Sequence, residues 1–261
     1  MRQPRTTGFA AASRERVFAV LLASAIALAW VGLFAWERSP YGRYLDHDGL
    51  GDLQSAYFAA LLVAGWVTMI IAMMLPTSWP LLGLFDRMTS SRRGHPGLIG
   101  RVIGGYLAVW TLFGIAVHAG DLEVHRIVEG SRWIDSHAWL IGAGTLLGAG
   151  IYQFSALKYK CLAQCRSPYA FIATHWRGRD PKREAFALGV RHGLFCLGCC
   201  WSLMLVMFTL GIGNIGWMLA IGAVMAIEKN ARWGRQLSAP LGAILIGWGA
   251  ATIALQGGVF A

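Results

Sequence analysis

Repeated apolar runs about as long as a bilayer is thick constrain this chain more than any other feature. A hydrocarbon core of roughly 30 Å needs about 20 mostly apolar residues per helix. Seven segments are candidates: Val17–Trp36, Ala56–Pro76 with an apolar tail to Phe85, Ile99–His118, His137–Leu157, Gly193–Gly211, the shorter Ile215–Ile227, and Leu241–Leu255. The expected fold is all-α, a polytopic transmembrane bundle of seven spans, or of six if Ile215–Ile227 is re-entrant. Composition agrees: 56% of residues are hydrophobic and 14% charged, against about 45–50% and 25% in soluble domains. Disordered chains, disulfide-rich secreted domains and most soluble enzymes are excluded.

The N-terminus resembles a signal peptide, with Arg2, Arg5, Arg14 and Arg16 ahead of an apolar run. That run exceeds the usual 7–15 residues and ends in Trp36-Glu37-Arg38, a poor cleavage context. It reads as a retained first helix behind a basic cytoplasmic arm, residues 1–16. Residues 17–261 then form one transmembrane domain, with a cytoplasmic loop over 158–191. With the N-terminus inside, 19 of the 23 Lys and Arg fall on the inner face and eight of the 13 acids on the outer one. This asymmetry is the positive-inside rule. It accounts for the formal charge of +10 without a nucleic-acid partner; the partner it implies is a lipid bilayer with anionic headgroups.

Most of the glycines suit helix packing. Gly144 and Gly148 form a small-xxx-small pair in the fourth span. Gly211-Ile212-Gly213-Asn214 predicts a tight hairpin between the fifth and sixth spans. No glycine-rich nucleotide loop, HExxH or GxSxG is present.

Every cysteine falls on the inner side, where structural disulfides are disfavoured. Cys161 and Cys165 follow the fourth span, and Cys196, Cys199 and Cys200 open the fifth. Asp180-Pro181 predicts that the fifth helix starts well before the membrane. Residues at i, i+3 and i+4 share a helix face, so His192, Cys196, Cys199 and Cys200 form one stripe, with Met204 at its edge and Met207 beyond. In the second span Met69 and Met73 share a face, Met74 lies beside them, and Pro76 disrupts the helix. These sulfurs lie at the depth of the cysteines. Thiolate and thioether donors favour Cu(I), with zinc possible. A closed zinc site needs four ligands, more than one helix can wrap around an ion. Two thiolates on Cu(I) carry a net charge of −1, costly inside a membrane. Arg191, a protonated His192, Lys158 and Lys160 are the expected compensators. A second polar group, His118, Asp121, Glu123 and His125 with His47, Asp46 and Asp48, lies outside and reads first as a solvated acidic surface.

The blocks Met73-Met74-Leu75-Pro76, Tyr152-Gln153-Phe154-Ser155-Ala156-Leu157-Lys158, Cys161-x3-Cys165-Arg166-Ser167-Pro168 and Gly193-x2-Cys196-Leu197-Gly198-Cys199-Cys200-Trp201, with Gly213-Asn214-x2-Trp217-Met218 and Glu228-Lys229, are specific. They resemble a bacterial family of predicted metal-binding integral membrane proteins, some of whose members are labelled copper chaperones. The resemblance covers roughly Ala56 to Asn230. It nominates Met73, Met74, Cys161, Cys165, Cys196, Cys199 and Cys200 as metal-site residues.

The leading expectation is an inner-membrane protein that binds Cu(I) at a Cys/Met site near the cytoplasmic interface and holds or passes it. The residues are Cys161, Cys165, Cys196, Cys199, Cys200, Met69, Met73, Met74 and His192. A copper enzyme or another membrane subunit would be the partner. One alternative is a thiol oxidoreductase using Cys196 and Cys199 as a Cys-x-x-Cys pair. Another is an accessory subunit with structural sulfurs.

Overall fold

The computed structural model describes residues 6–39, 56–92, 94–210 and 214–257. Among these the chain is all-helical. The helices are α1 (Thr6–Glu37), α2 (Ala56–Met73), α3 (Trp79–Thr89), α4 (His95–Glu129), α5 (Arg132–Ser136), α6 (Trp139–Tyr152), α7 (Ala156–Cys165), α8 (Pro168–His175), α9 (Pro181–Leu210), α10 (Ile215–Asn230) and α11 (Ser238–Gly257). Four helical stretches are long and apolar enough to cross a membrane: Arg16–Glu37, His95–Glu129, Pro181–Leu210 and Gly234–Gln256. Two bent pairs raise the number to six if each is one span, α2 with α3 at 44° and α6 with α7 at 66°.

Both bends have a local cause. Pro76 ends α2 by removing a backbone donor, and a single 3-10 turn, Pro76–Ser78, redirects the chain into α3. At the second bend Ser155 is extended and its hydroxyl accepts the amide of Lys158, capping α7. The stretch expected as a cytoplasmic loop is therefore largely helical, holding α7, α8 and the start of α9. α9 does start at Pro181, where Asp180 Oδ1 accepts the Arg183 amide. At 16 residues, α10 reaches only about 24 Å. It packs beside α9, and Leu203, Val206 and Leu210 of α9 line one apolar groove with Trp217, Ile221 and Val224 of α10.

α4 and α9 form the spine. A Cβ on Gly189 would lie 2.0 Å from the Val102 carbonyl oxygen, and one on Gly105 would lie 2.3 Å from that of Phe186. Only glycine permits that backbone approach. The expected packing pair Gly144 and Gly148 meets nothing within 4 Å; Gly150, on another face, is the residue pressed against Gly242 and Ile246 of α11. The 3.6-residue period explains this: the close contact lies away from the small-xxx-small stripe. The Gly211-Ile212-Gly213 part of the expected hairpin lies outside the described residues; Asn214 caps α10 by accepting the Trp217 amide. Two buried apolar clusters result. One unites Met69, Met73, Met74, Met204, Met207, Met218 and Met225 with Cys161, Cys196, Cys199 and Cys200. The other packs Phe85, Phe171 and Leu188 beneath it, where α3 and α8 meet α9.

Candidate metal centre

Cys161 and Cys165 are four residues apart on α7 and therefore share a face, and that face meets α9. Gly198 makes the approach possible, since a Cβ there would come within 2.5 Å of Cys161 Sγ. One turn on, Cys165 Sγ lies 4.0 Å from Cys199 Sγ. Cys199 Sγ is in turn 3.3 Å from Cys200 Sγ and donates to the Cys196 carbonyl at 3.1 Å. Cys165 is half-buried and the other four are buried, so the cluster opens outward through Cys165.

A polar clasp holds α7 at this angle. Lys158 Nζ donates to both Glu228 carboxylate oxygens, at 2.8 and 2.9 Å, and to Gln153 Oε1. Ser238 Oγ, opening α11, donates to Glu228 at 2.6 Å. Gln153 Nε2 reaches Ser202 on α9 at 3.3 Å. Arg166 donates to the carbonyls of Glu228 and Arg232. Lys158 and Glu228 are buried, so removing one partner strands a charge; the pair fixes geometry more surely than it adds net stability.

Met73 and Met74 lie in the same buried cluster as the cysteines. Two bridging residues span the distance between α2 and α9. Tyr106 of α4 places its hydroxyl 3.0 Å from Cys196 Sγ and 3.4 Å from the Met74 carbonyl. Lys229 of α10 donates to Cys196 Sγ at 2.9 Å and to Thr77 Oγ1 at 3.1 Å, and Thr77 donates to the Met74 carbonyl at 2.7 Å. Met73 packs on Gly222 of α10, and Met69 is buried one turn away.

The expected charge compensators are placed elsewhere. Lys158 is paired with Glu228, and Lys160 and Arg191 are exposed. His192 points Nε2 at Ser78 Oγ, 3.0 Å away, and stacks on Tyr106. The cation beside the sulfurs is Lys229, whose sequence signal is the charged pair Glu228-Lys229 at the end of an apolar helix. Tyr106 carries no such signal, since an aromatic residue in an apolar helix reads as core.

In the outer polar group, His118 packs edge-on against Trp66 and Phe208, and His125 accompanies Asp121 along α4, which stays helical to Glu129. His47, Asp46 and Asp48 lie outside the described residues. Among the described residues, no three His, Cys, Asp or Glu side chains converge as a ready cage for a metal ion. The sulfur geometry is that of a pair. With bonds of about 2.3 Å, the length thiolates make to zinc, one ion separates two sulfurs by about 3.8 Å in a tetrahedron and about 4.6 Å in a line. Cys165 and Cys199 fall between these limits at 4.0 Å.

A family model described as PpoB2, copper chaperone, matches residues 63–252. The chain belongs to the PpoB2 copper chaperone family. The match takes in α7, α9 and α10 entire, and with them every cysteine and Lys229. No curated protein and no solved structure matches the chain. Membership in PpoB2 associates the chain with copper binding or handover.

Proposed function

We propose that this PpoB2 member is a cytoplasmic-membrane protein that binds Cu(I) between Cys165 and Cys199 and passes it to deeper sulfur donors. One observation carries the reading: two thiols from different helices lie 4.0 Å apart at the half-open edge of a buried sulfur cluster, in a chain of a copper chaperone family. A two-thiol site favours Cu(I), a soft ion, over zinc, which takes four ligands in closed sites. Cys161 and Cys200 flank the pair as exchange ligands. Met69, Met73 and Met74 extend soft donors toward α2, and His192 closes the stripe on its inner side. The ion moves by ligand exchange without changing oxidation state.

The excess of basic residues on one side supports an N-terminus and cysteines on the cytoplasmic side. α10 is the short return crossing in a seven-span chain. It brings Lys229 to the level of Cys196, about 7 Å beyond Arg191 along α9 at 1.5 Å per residue. The recipient would be a copper enzyme or another membrane subunit.

Elemental analysis of protein purified anaerobically in detergent tests the proposal. The expected result is bound copper in the wild type and its loss in Cys165→Ser/Cys199→Ser, with zinc failing to replace it. Absence of copper from the wild type, or copper content unchanged in the double variant, refutes it.

A further inference from the structure

Lys229 is a buried cation without a carboxylate partner among its hydrogen bonds; they go to Cys196 Sγ and Thr77 Oγ1. An ammonium in a membrane interior is costly unless an anion or strong acceptor faces it. Cys196 supplies that partner, and the pair is neutral whichever atom holds the proton. His192 lies one turn earlier on the same face of α9. Its Nε2 is engaged by Ser78, while its Nδ1 is buried with no hydrogen-bond partner. An unmet buried polar atom of this kind calls for an explanation. Cys196 Sγ thus faces a compensating cation at 2.9 Å, a ring nitrogen without a partner lies one turn earlier on the same helix, and Cys199 Sγ touches the Cys196 carbonyl.

We propose that Cys196 is a second, deeper Cu(I) station, with Lys229 as its built-in counter-ion and His192 Nδ1 as a further donor. The inference rests on the Cys165/Cys199 reading above and adds a step to it. The ion on Cys165 and Cys199 forms a bond to Cys196 Sγ and breaks its bond to Cys165 Sγ. Copper stays Cu(I) and no electron moves. Cys165 is left as a thiolate at the half-open edge and takes a proton from water there. Before the exchange the ion on Cys165 and Cys199 carries −1 at the half-open edge, and the Lys229–Cys196 pair is neutral. Afterwards the dithiolate on Cys199 and Cys196 carries −1 beside the Lys229 ammonium at +1, so the deeper site is neutral, and the proton taken by Cys165 removes the remaining −1. Thr77 Oγ1 gives the ammonium a second acceptor while Cys196 turns to the metal. The Coulomb penalty for carrying a charged dithiolate inward is removed by a residue that binds no metal itself.

The test loads detergent-solubilised full-length protein with Cu(I) and follows its removal by a membrane-impermeant, water-soluble Cu(I) chelator. Wild type should release copper slowly, since the ion rests at the buried station. Cys196→Ser and Lys229→Met should still bind copper at Cys165 and Cys199 but release it at least about tenfold faster. Lys229→Arg should release it at nearly the wild-type rate. X-ray absorption of the wild type should show a nitrogen donor beside sulfur that is lost in His192→Phe. Equal release rates in wild type, Cys196→Ser and Lys229→Met, all monodisperse and folded, overturn the second station while leaving the Cys165/Cys199 site intact. Fast release from Lys229→Arg as well overturns the counter-ion role. Loss of all copper from Cys165→Ser/Cys199→Ser, with normal binding in Cys196→Ser, upholds the first site. Absence of copper from the wild type removes both.

Discussion

Gly198→Ala tests whether the approach of α7 to α9 makes the metal pair. The added Cβ would lie 2.5 Å from Cys161 Sγ and 3.3 Å from Cys161 Cβ. The sulfur contact is about 0.9 Å short of the 3.4 Å at which ordinary contact begins. With the Cys161 side chain held in its rotamer, the sulfur overlap is relieved by moving α7; the Cys161 Cβ contact alone is only about 0.1 Å short of 3.4 Å. Some outward movement of α7 follows, and Cys165, one turn along the same face, moves with it. An outward shift of the full 0.9 Å would widen the Cys165–Cys199 separation from 4.0 Å past the roughly 4.6 Å that a two-coordinate ion spans. Without copper the helices relax; binding must draw them back against the overpacking, which costs about 1–3 kcal/mol in cores. At 1.4 kcal/mol per decade, Cu(I) affinity should fall roughly 5- to 140-fold. Chelator competition under anaerobic conditions measures it. Gly198→Ala/Cys161→Ala removes the clashing sulfur and should recover most of the loss. Wild-type affinity in Gly198→Ala, with the fold intact, refutes the claim that this glycine sets the sulfur spacing.

Lys158→Met should lower stability by about 3–5 kcal/mol, because Glu228 keeps a buried charge with its cation gone; thermal unfolding in detergent checks this, and adding Glu228→Gln should restore part of it. Gly189→Ala should lower the midpoint further than Gly144→Ala, since its Cβ meets backbone at 2.0 Å while Gly144 faces open space; equal midpoints would remove the tight α4–α9 crossing from the account. For topology, a membrane-impermeant amine reagent should label Lys160, exposed on α7, in inside-out but not right-side-out vesicles, with Lys160→Arg as the control; the reverse would invert the orientation.

The helical class, several long apolar helices, the charge asymmetry and the candidate sulfur donors were legible in the sequence alone, because each follows from local composition and periodicity. The α9 stripe of Cys196, Cys199 and Cys200 and the start at Pro181 are properties of one helix. So is the break at Pro76. What tertiary structure decided is which thiols meet. Cys165 reaches Cys199 because Ser155 bends the chain into α7, Gly198 admits Cys161, and the Lys158–Glu228 pair holds the angle. Those contacts join residues tens of positions apart, so no window along the chain contains them. The same holds for charge. Lys158 looked like a partner for the sulfurs because it is close to them in sequence, yet Glu228 takes it. The cation at the thiol is Lys229, which neighbours Glu228 in the chain and lies about 100° around α10 from it. A single residue step at a helix end sends two adjacent charges to two different cysteine-bearing helices, an outcome set by packing rather than by composition.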